Sequence, residues 1–112
     1  MREASENLFQ NTITKQMYIT GGLGAAKFGE RFTIDFDLPA DSAYAETCAS
    51  IGLMLFSSRM WLLNHKKANY DIWEQALLNT VLSGMGRYGS QFFYVNPLEV
   101  VPTTIINNPA LS

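Results

Sequence analysis

A mainly α-helical protein with a few short strands in its loops is what the sequence predicts, and three observations carry that expectation. Apolar residues recur at helical spacing in three stretches of the chain. Glycine clusters separate those stretches, and strand-like runs are confined to Phe32 to Phe36 and Gln91 to Val95. The 112 residues, 47% hydrophobic and 12% aromatic, suffice for one folded domain and are too few for two.

From Glu3 to Lys15, the residues Ala4, Leu8, Phe9 and Ile13 fall at helical spacing between polar neighbours, which predicts the first helix. It runs through Met17-Tyr18-Ile19-Thr20 into Gly21-Gly22-Leu23-Gly24, where the glycines favour loop geometry and end it. Between Ala25 and Ala40 there is no helical period. Phe32, Ile34 and Phe36 alternate there with Thr33, Asp35 and Asp37, as in a short extended segment that Pro39 stops. Asp41 or Ser42 offers an N-cap for a second helix continuing to about Asn64. Tyr44, Cys48, Ile51, Leu55 and Leu62 form one stripe on it, and Leu53, Phe56, Met60 and Leu63 occupy much of the rest. Such a helix is expected to be buried on several sides. After the polar link His65-Lys66-Lys67, Asn69 or Asp71 opens a third helix to about Ser83, with Tyr70, Trp73, Leu77 and Val81 along one face. Gly84, Gly86 and Gly89 then turn the chain into Gln91 to Val95. Pro97, Pro102 and Pro109 follow in polar sequence with no periodic pattern.

These apolar faces exceed what two helices and a loop can hide from each other, and a large exposed apolar surface calls for a partner surface. The expected explanation is that residues 1–112 are part of a larger domain, truncated at both ends. A homodimer covering the same faces is the alternative.

Eight basic and ten acidic residues, spread along the chain for a net charge of −2, give no footprint for nucleic acid or an anionic membrane. A single cysteine, Cys48, excludes an internal disulfide. Residues 1–6 lack the apolar core of a signal peptide, and the longest apolar cluster, Ile51 to Phe56, is too short for a membrane span. The expected setting is soluble, reducing and cytoplasmic.

Local motifs give little on their own. The Gly24 to Gly29 spacing fits the start of a P-loop, but Glu30-Arg31 stands where Lys-Ser/Thr is required, and Lys27 occupies the third glycine position of a dinucleotide loop. A loop that lets backbone come close to something is the better reading. Asp35, Asp37 and Asp41 lack the glycine and terminal glutamate of a calcium loop. Glu46 and Cys48 on a regular helix would point about 200° apart, so they could share a metal only before or within an opened first turn. Without a metal, Cys48 reads as a small buried hydrophobe, Glu46 as a partner of the helix dipole, and His65 as a surface residue at a helix end. Glu30 lies in a glycine-flanked loop upstream of Glu46, and paired carboxylates are the usual equipment for cleaving glycosidic bonds.

Taken together, several segments resemble the catalytic domain of glycoside hydrolase family 127, the β-L-arabinofuranosidases. They are Met17-Tyr18-Ile19-Thr20-Gly21-Gly22, Gly29-Glu30-Arg31-Phe32-Thr33, Asp37-Leu38-Pro39, Tyr44-Ala45-Glu46-Thr47-Cys48-Ala49-Ser50-Ile51-Gly52 and Phe92-Phe93-Tyr94-Val95-Asn96-Pro97-Leu98-Glu99. They run in order from about Asn7 to Val101.

The resemblance implies part of an (α/α)6 toroid, and a parent enzyme that removes β-L-arabinofuranosyl units from glycans or glycoproteins with retention. It implies a zinc-bound cysteine nucleophile, with zinc held by a Glu-x-Cys element and a later Cys-Cys pair. Glu46 and Cys48 match the first two zinc ligands, Glu30 the general acid/base, and Tyr94 a tyrosine lining the sugar pocket. No second cysteine is present. The chain alone is therefore expected to be inactive, carrying the acid/base and half a metal site. A non-catalytic module derived from the fold, or another glycosidase activity on the same barrel, are the alternatives.

Overall fold

The computed structural model describes residues 1–99, and these form three α-helices, the first two joined by a long glycine-containing loop and the last two by a two-residue link, with β pairing limited to isolated bridges. Helix α1, Arg2–Asn11, widens into a π-helical turn at Thr12–Gln16. There the Thr12 and Thr14 hydroxyls bond back to the carbonyls of Leu8 and Gln10 at 2.9 and 2.7 Å, a pattern that bends helices. Phe9 anchors α1: it is fully buried and meets the Phe56 ring edge-on, centroids 5.0 Å apart.

Helix α2, Thr47–Asn64, begins later than the expected caps at Asp41 and Ser42. The preceding backbone has other partners. The Ala45 N–H donates to the Gly24 carbonyl at 2.8 Å, Glu46 pairs with Val95, and Ala45 itself has a φ of 35°, outside the helical region. At the other end His65 closes the helix in left-handed conformation, exposed, as expected of a helix-end residue.

The buried face of α2 is not the predicted stripe. Thr47, Ser50, Leu53, Ser57 and Met60 point inward, while Ile51, Leu55 and Leu62 are exposed. Small serines on that face suit close approach by helix α3, Lys67–Ala76, which packs against α2 and ends in a second π-helical turn, Leu77–Leu82. Helix α3 starts before the expected caps. Asn69 is instead a buried staple, its amide donating to the Asn64 side chain at 2.9 Å and its carbonyl accepting from the Ser57 hydroxyl.

Neither strand-like run becomes a strand. Arg31 pairs with Ala26, after which the chain turns, with Phe36 left-handed at φ 64° and its N–H bonded to the Lys15 carbonyl at 3.0 Å. Alternation over 32–36 therefore marks an exposed loop, held by ion pairing of Lys15 with Asp35. Phe92 and Val95 make single bridges, to Met85 and Glu46. The predicted glycine contact is observed: Gly21, at φ 88°, lies against α3 so closely that an added Cβ would sit 2.9 Å from the Ala76 Cα. One core cluster joins Phe9, Leu23, Leu53, Met60 and Ala76, and a second under the loops joins Tyr18, Ala25, Ala43 and Ala45. Many large apolar side chains stay exposed, as the composition of the helices predicts. No described helix is long and apolar enough to cross a membrane. The prolines at 102 and 109 lie outside the described residues.

Candidate active site

Three loop segments meet at the N-terminus of α2. The first is a tight turn in which Ala26 and Arg31 exchange backbone bonds of 3.3 and 3.4 Å, placing Gly29 and Glu30 in left-handed conformation at φ 75° and 45°. Glycine adopts this freely, whereas glutamate does so at a cost that persists where surrounding structure imposes it, as at functional sites. The second is the irregular run Ala43–Glu46. The third is the return segment around Tyr94, bound to the start of α2 by the Thr47 N–H donating to the Tyr94 carbonyl at 2.9 Å.

Asn96 locks the second and third segments together. Its side-chain amide donates to the Ala45 carbonyl at 3.0 Å and to the Thr47 hydroxyl at 3.1 Å, while that hydroxyl donates to the Phe93 carbonyl. Replacing Asn96 with alanine leaves these part-buried acceptors short of a donor, and about 1–3 kcal/mol of local stability is expected to be lost. Faster hydrogen exchange at the Thr47 amide checks this. Unchanged protection there would remove Asn96 from the lock.

All four predicted site residues lie in this neighbourhood. The Tyr94 hydroxyl donates to Glu30 Oε1 at 3.4 Å. A fifth residue, Tyr44, donates to the same oxygen at 3.0 Å, and the two tyrosine rings meet edge-on with centroids 5.9 Å apart. Burial raises the Tyr44 phenol above its ordinary value. The neighbouring Tyr44 hydroxyl, then the Glu46 carboxylate, raise that of Tyr94. Both therefore remain protonated donors at neutral pH. Sequence reasoning placed Tyr44 on a helical stripe. No local pattern marks it: Ala45, with φ 35°, breaks any strand alternation between Tyr44 and Glu46, and only the folded structure shows both lining one cleft.

Glu46 stands just outside α2 in extended conformation, φ −64° and ψ 150°, and makes no side-chain cap bond. The break that sharing a metal requires is thus present between Glu46 and Cys48. Of the two readings made without a metal, one fails, because Cys48 is exposed and not buried. Glu46 does stand at the N-terminus of α2, where a carboxylate meets the helix dipole, without a side-chain bond to it. Glu46 Oε2 is buried without a hydrogen-bond partner. Partial desolvation, followed by the nearby Glu46 carboxylate, pushes the Cys48 thiol up. A buried carboxylate oxygen without a partner is costly, and a cation would satisfy it. The carboxylate and thiol are both zinc donors, so these residues fit half of a tetrahedral site. Among the described residues, no cluster of three or more potential ligands completes it.

Glu30, Tyr44 and Glu46 line one wall of a cleft of about 490 Å³, whose other walls include Leu8, Phe32 and Phe56. An apolar-walled cleft with a few convergent polar groups is the usual form of a small-ligand site. Two carboxylates, Glu30 and Glu46, thus line one cleft in a helical framework.

Comparison with known proteins specifies the family. Residues 1–109 match the model of the β-L-arabinofuranosidase catalytic domain of glycoside hydrolase family 127, and the chain belongs to that family. A non-reducing end β-L-arabinofuranosidase from Bifidobacterium longum subsp. longum is 38% identical over 105 residues, which are 94% of this chain and 16% of that protein. The crystal structure of a family 127 β-L-arabinofuranosidase from Geobacillus stearothermophilus T6 superposes with a TM-score of 0.90 at 50% identity, covering 97% of this chain and 17% of that one. A second solved β-arabinofuranosidase of the family gives 0.83 at 42% identity, covering 86% and 15%. The described helices are part of an (α/α)6 barrel, the fold of these neighbours.

Proposed function

We propose that this chain supplies the acid/base wall and two metal donors of a retaining, zinc-dependent β-L-arabinofuranosidase acting on glycans or glycoproteins. The observation that carries this reading is the convergence of Glu30, gripped by two tyrosine hydroxyls, with Glu46, whose Oε2 is buried and unpartnered. The names of the relatives supply the substrate class.

In this mechanism Glu30 donates its proton to the glycosidic oxygen as the bond from that oxygen to the anomeric carbon breaks. The sugar is transferred to a cysteine thiolate, giving a glycosyl-thioether. Glu30 then takes a proton from water as water attacks the anomeric carbon and the thiolate leaves. Two displacements return the original configuration. Glu46 and Cys48 would hold the zinc, which when bound lowers thiol pKa values so that thiolate exists near neutral pH. Tyr94, whose hydroxyl meets Glu30, orients the sugar. The sequence holds one cysteine, so the nucleophile and the remaining thiolate donor come from residues beyond these 112, and this segment alone is expected to be inactive.

The test is release of β-L-arabinofuranose from an aryl β-L-arabinofuranoside by the complete protein, followed by proton NMR of the first-formed anomer, with zinc measured in parallel. Retained configuration and stoichiometric zinc that falls in Cys48→Ala are expected. An inverted product would refute the double displacement, and unchanged metal content in Cys48→Ala would remove Cys48 from the ligand set.

A further inference from the structure

The two oxygens of Glu30 are treated differently. Oε1 accepts both tyrosine hydroxyls, from Tyr44 at 3.0 Å and from Tyr94 at 3.4 Å, while Oε2 accepts no hydrogen bond among the described residues. The donors also differ. Tyr44 is 8% exposed and sits in the backbone run fixed by the Ala45 bond to Gly24, whereas Tyr94 is 40% exposed and makes the longer bond. Tyr44 is thus the rigid half of the pair. An oxygen already receiving two O–H donors cannot also carry a proton directed at them, so a protonated Glu30 holds its hydrogen on Oε2.

We infer that Tyr44 is a positioning residue for Glu30: its buried hydroxyl pins Oε1 and so presents Oε2 as the atom that gives and takes the catalytic proton. This rests on the acid/base role proposed above for Glu30. The backbone supports it, because Glu30 is left-handed and its side chain leaves a strained, solvent-facing turn. Without a fixed partner that carboxyl would sample several rotamers, and proton transfer requires the donor within hydrogen-bond reach of the leaving oxygen. Tyr94 has a second task at the sugar pocket. Tyr44 lines the cleft beside Glu30, and its bond to Oε1 is the route by which it acts on proton transfer.

The experiment compares kcat/KM of the complete enzyme on two β-L-arabinofuranosides, one with a nitrophenyl leaving group and one with a sugar or alkyl leaving group. The second depends on acid assistance and the first largely does not. Tyr44→Phe keeps the ring and removes the hydroxyl. Its kcat/KM is expected to fall about 10- to 100-fold on the poor leaving group, and several-fold less on the good one. In a Glu30→Gln background, adding Tyr44→Phe is expected to cost no more than about twofold, since residues acting as one unit are not additive.

Equal losses on both substrates, or losses that multiply with those of Glu30→Gln, would overturn the inference and leave Tyr44 a packing residue. A Tyr44→Phe enzyme that no longer folds would overturn it equally, because the hydroxyl would then be a structural bond. Failure of the underlying reading looks different. In that case Glu30→Gln itself shows no dependence on the leaving group.

Discussion

Glu30→Gln in the complete enzyme is expected to lower turnover of an arabinofuranoside with a sugar or alkyl leaving group by about 10²- to 10⁴-fold, the range that general acid/base groups supply. That corresponds to about 3–5 kcal/mol in the barrier. Glutamine is the informative replacement because of how the carboxyl is held. Its amide oxygen can still accept from Tyr44 and Tyr94, as Oε1 does, so the cradle survives. Only the exchangeable proton at the Oε2 position is lost. The loss should shrink for a nitrophenyl glycoside, whose oxygen departs without protonation, and the second displacement should then become limiting because water has lost its base. A burst of nitrophenol followed by slow turnover is the signature. Undiminished turnover on the poor leaving group would remove Glu30 from the acid/base role.

The helices were legible because hydrophobic period survives in a single sequence, and the three stretches predicted as helical do form helices. Their ends and faces were less so, for physical reasons. Asp41 and Ser42 are good caps, yet the backbone before Thr47 is drawn into bonds with Gly24 and Val95, and no local pattern announces those partners. The inward face of α2 was hidden because serine is read as polar, although Ser50 and Ser57 are fully buried. Site residues entered through resemblance, since neither a loop glutamate nor a Glu-x-Cys triplet carries its meaning alone. Once the helix is known to start at Thr47, however, Tyr44 and Glu46 are freed from its stripe, and the fold brings both to one cleft.

The glycine cluster before Glu30 gives the second large effect. Gly21→Ala is expected to destabilise the protein by about 2–4 kcal/mol, and Gly24→Ala by about 1 kcal/mol. Both positions are left-handed, at φ 88° and 91°, so both alanines meet the same backbone penalty. They differ in what surrounds them. A Cβ on Gly24 meets nothing within 4 Å, whereas one on Gly21 would lie 2.9 Å from the Ala76 Cα and 3.0 Å from its nitrogen. Buried backbone where α3 passes into its π-helical turn cannot yield as a flexible side chain can. The clash would therefore push the loop off α3 and disturb the bonds of Thr80 and Gln75 to the carbonyls of Thr20 and Ile19. Those contacts set where the chain departs toward Glu30, so Gly21→Ala should also weaken acid assistance on poor leaving groups, while Gly24→Ala should not. Chemical denaturation of the two variants side by side measures the difference. Equal destabilisation would mean that backbone conformation alone selects glycine at position 21, and that close approach to α3 does not.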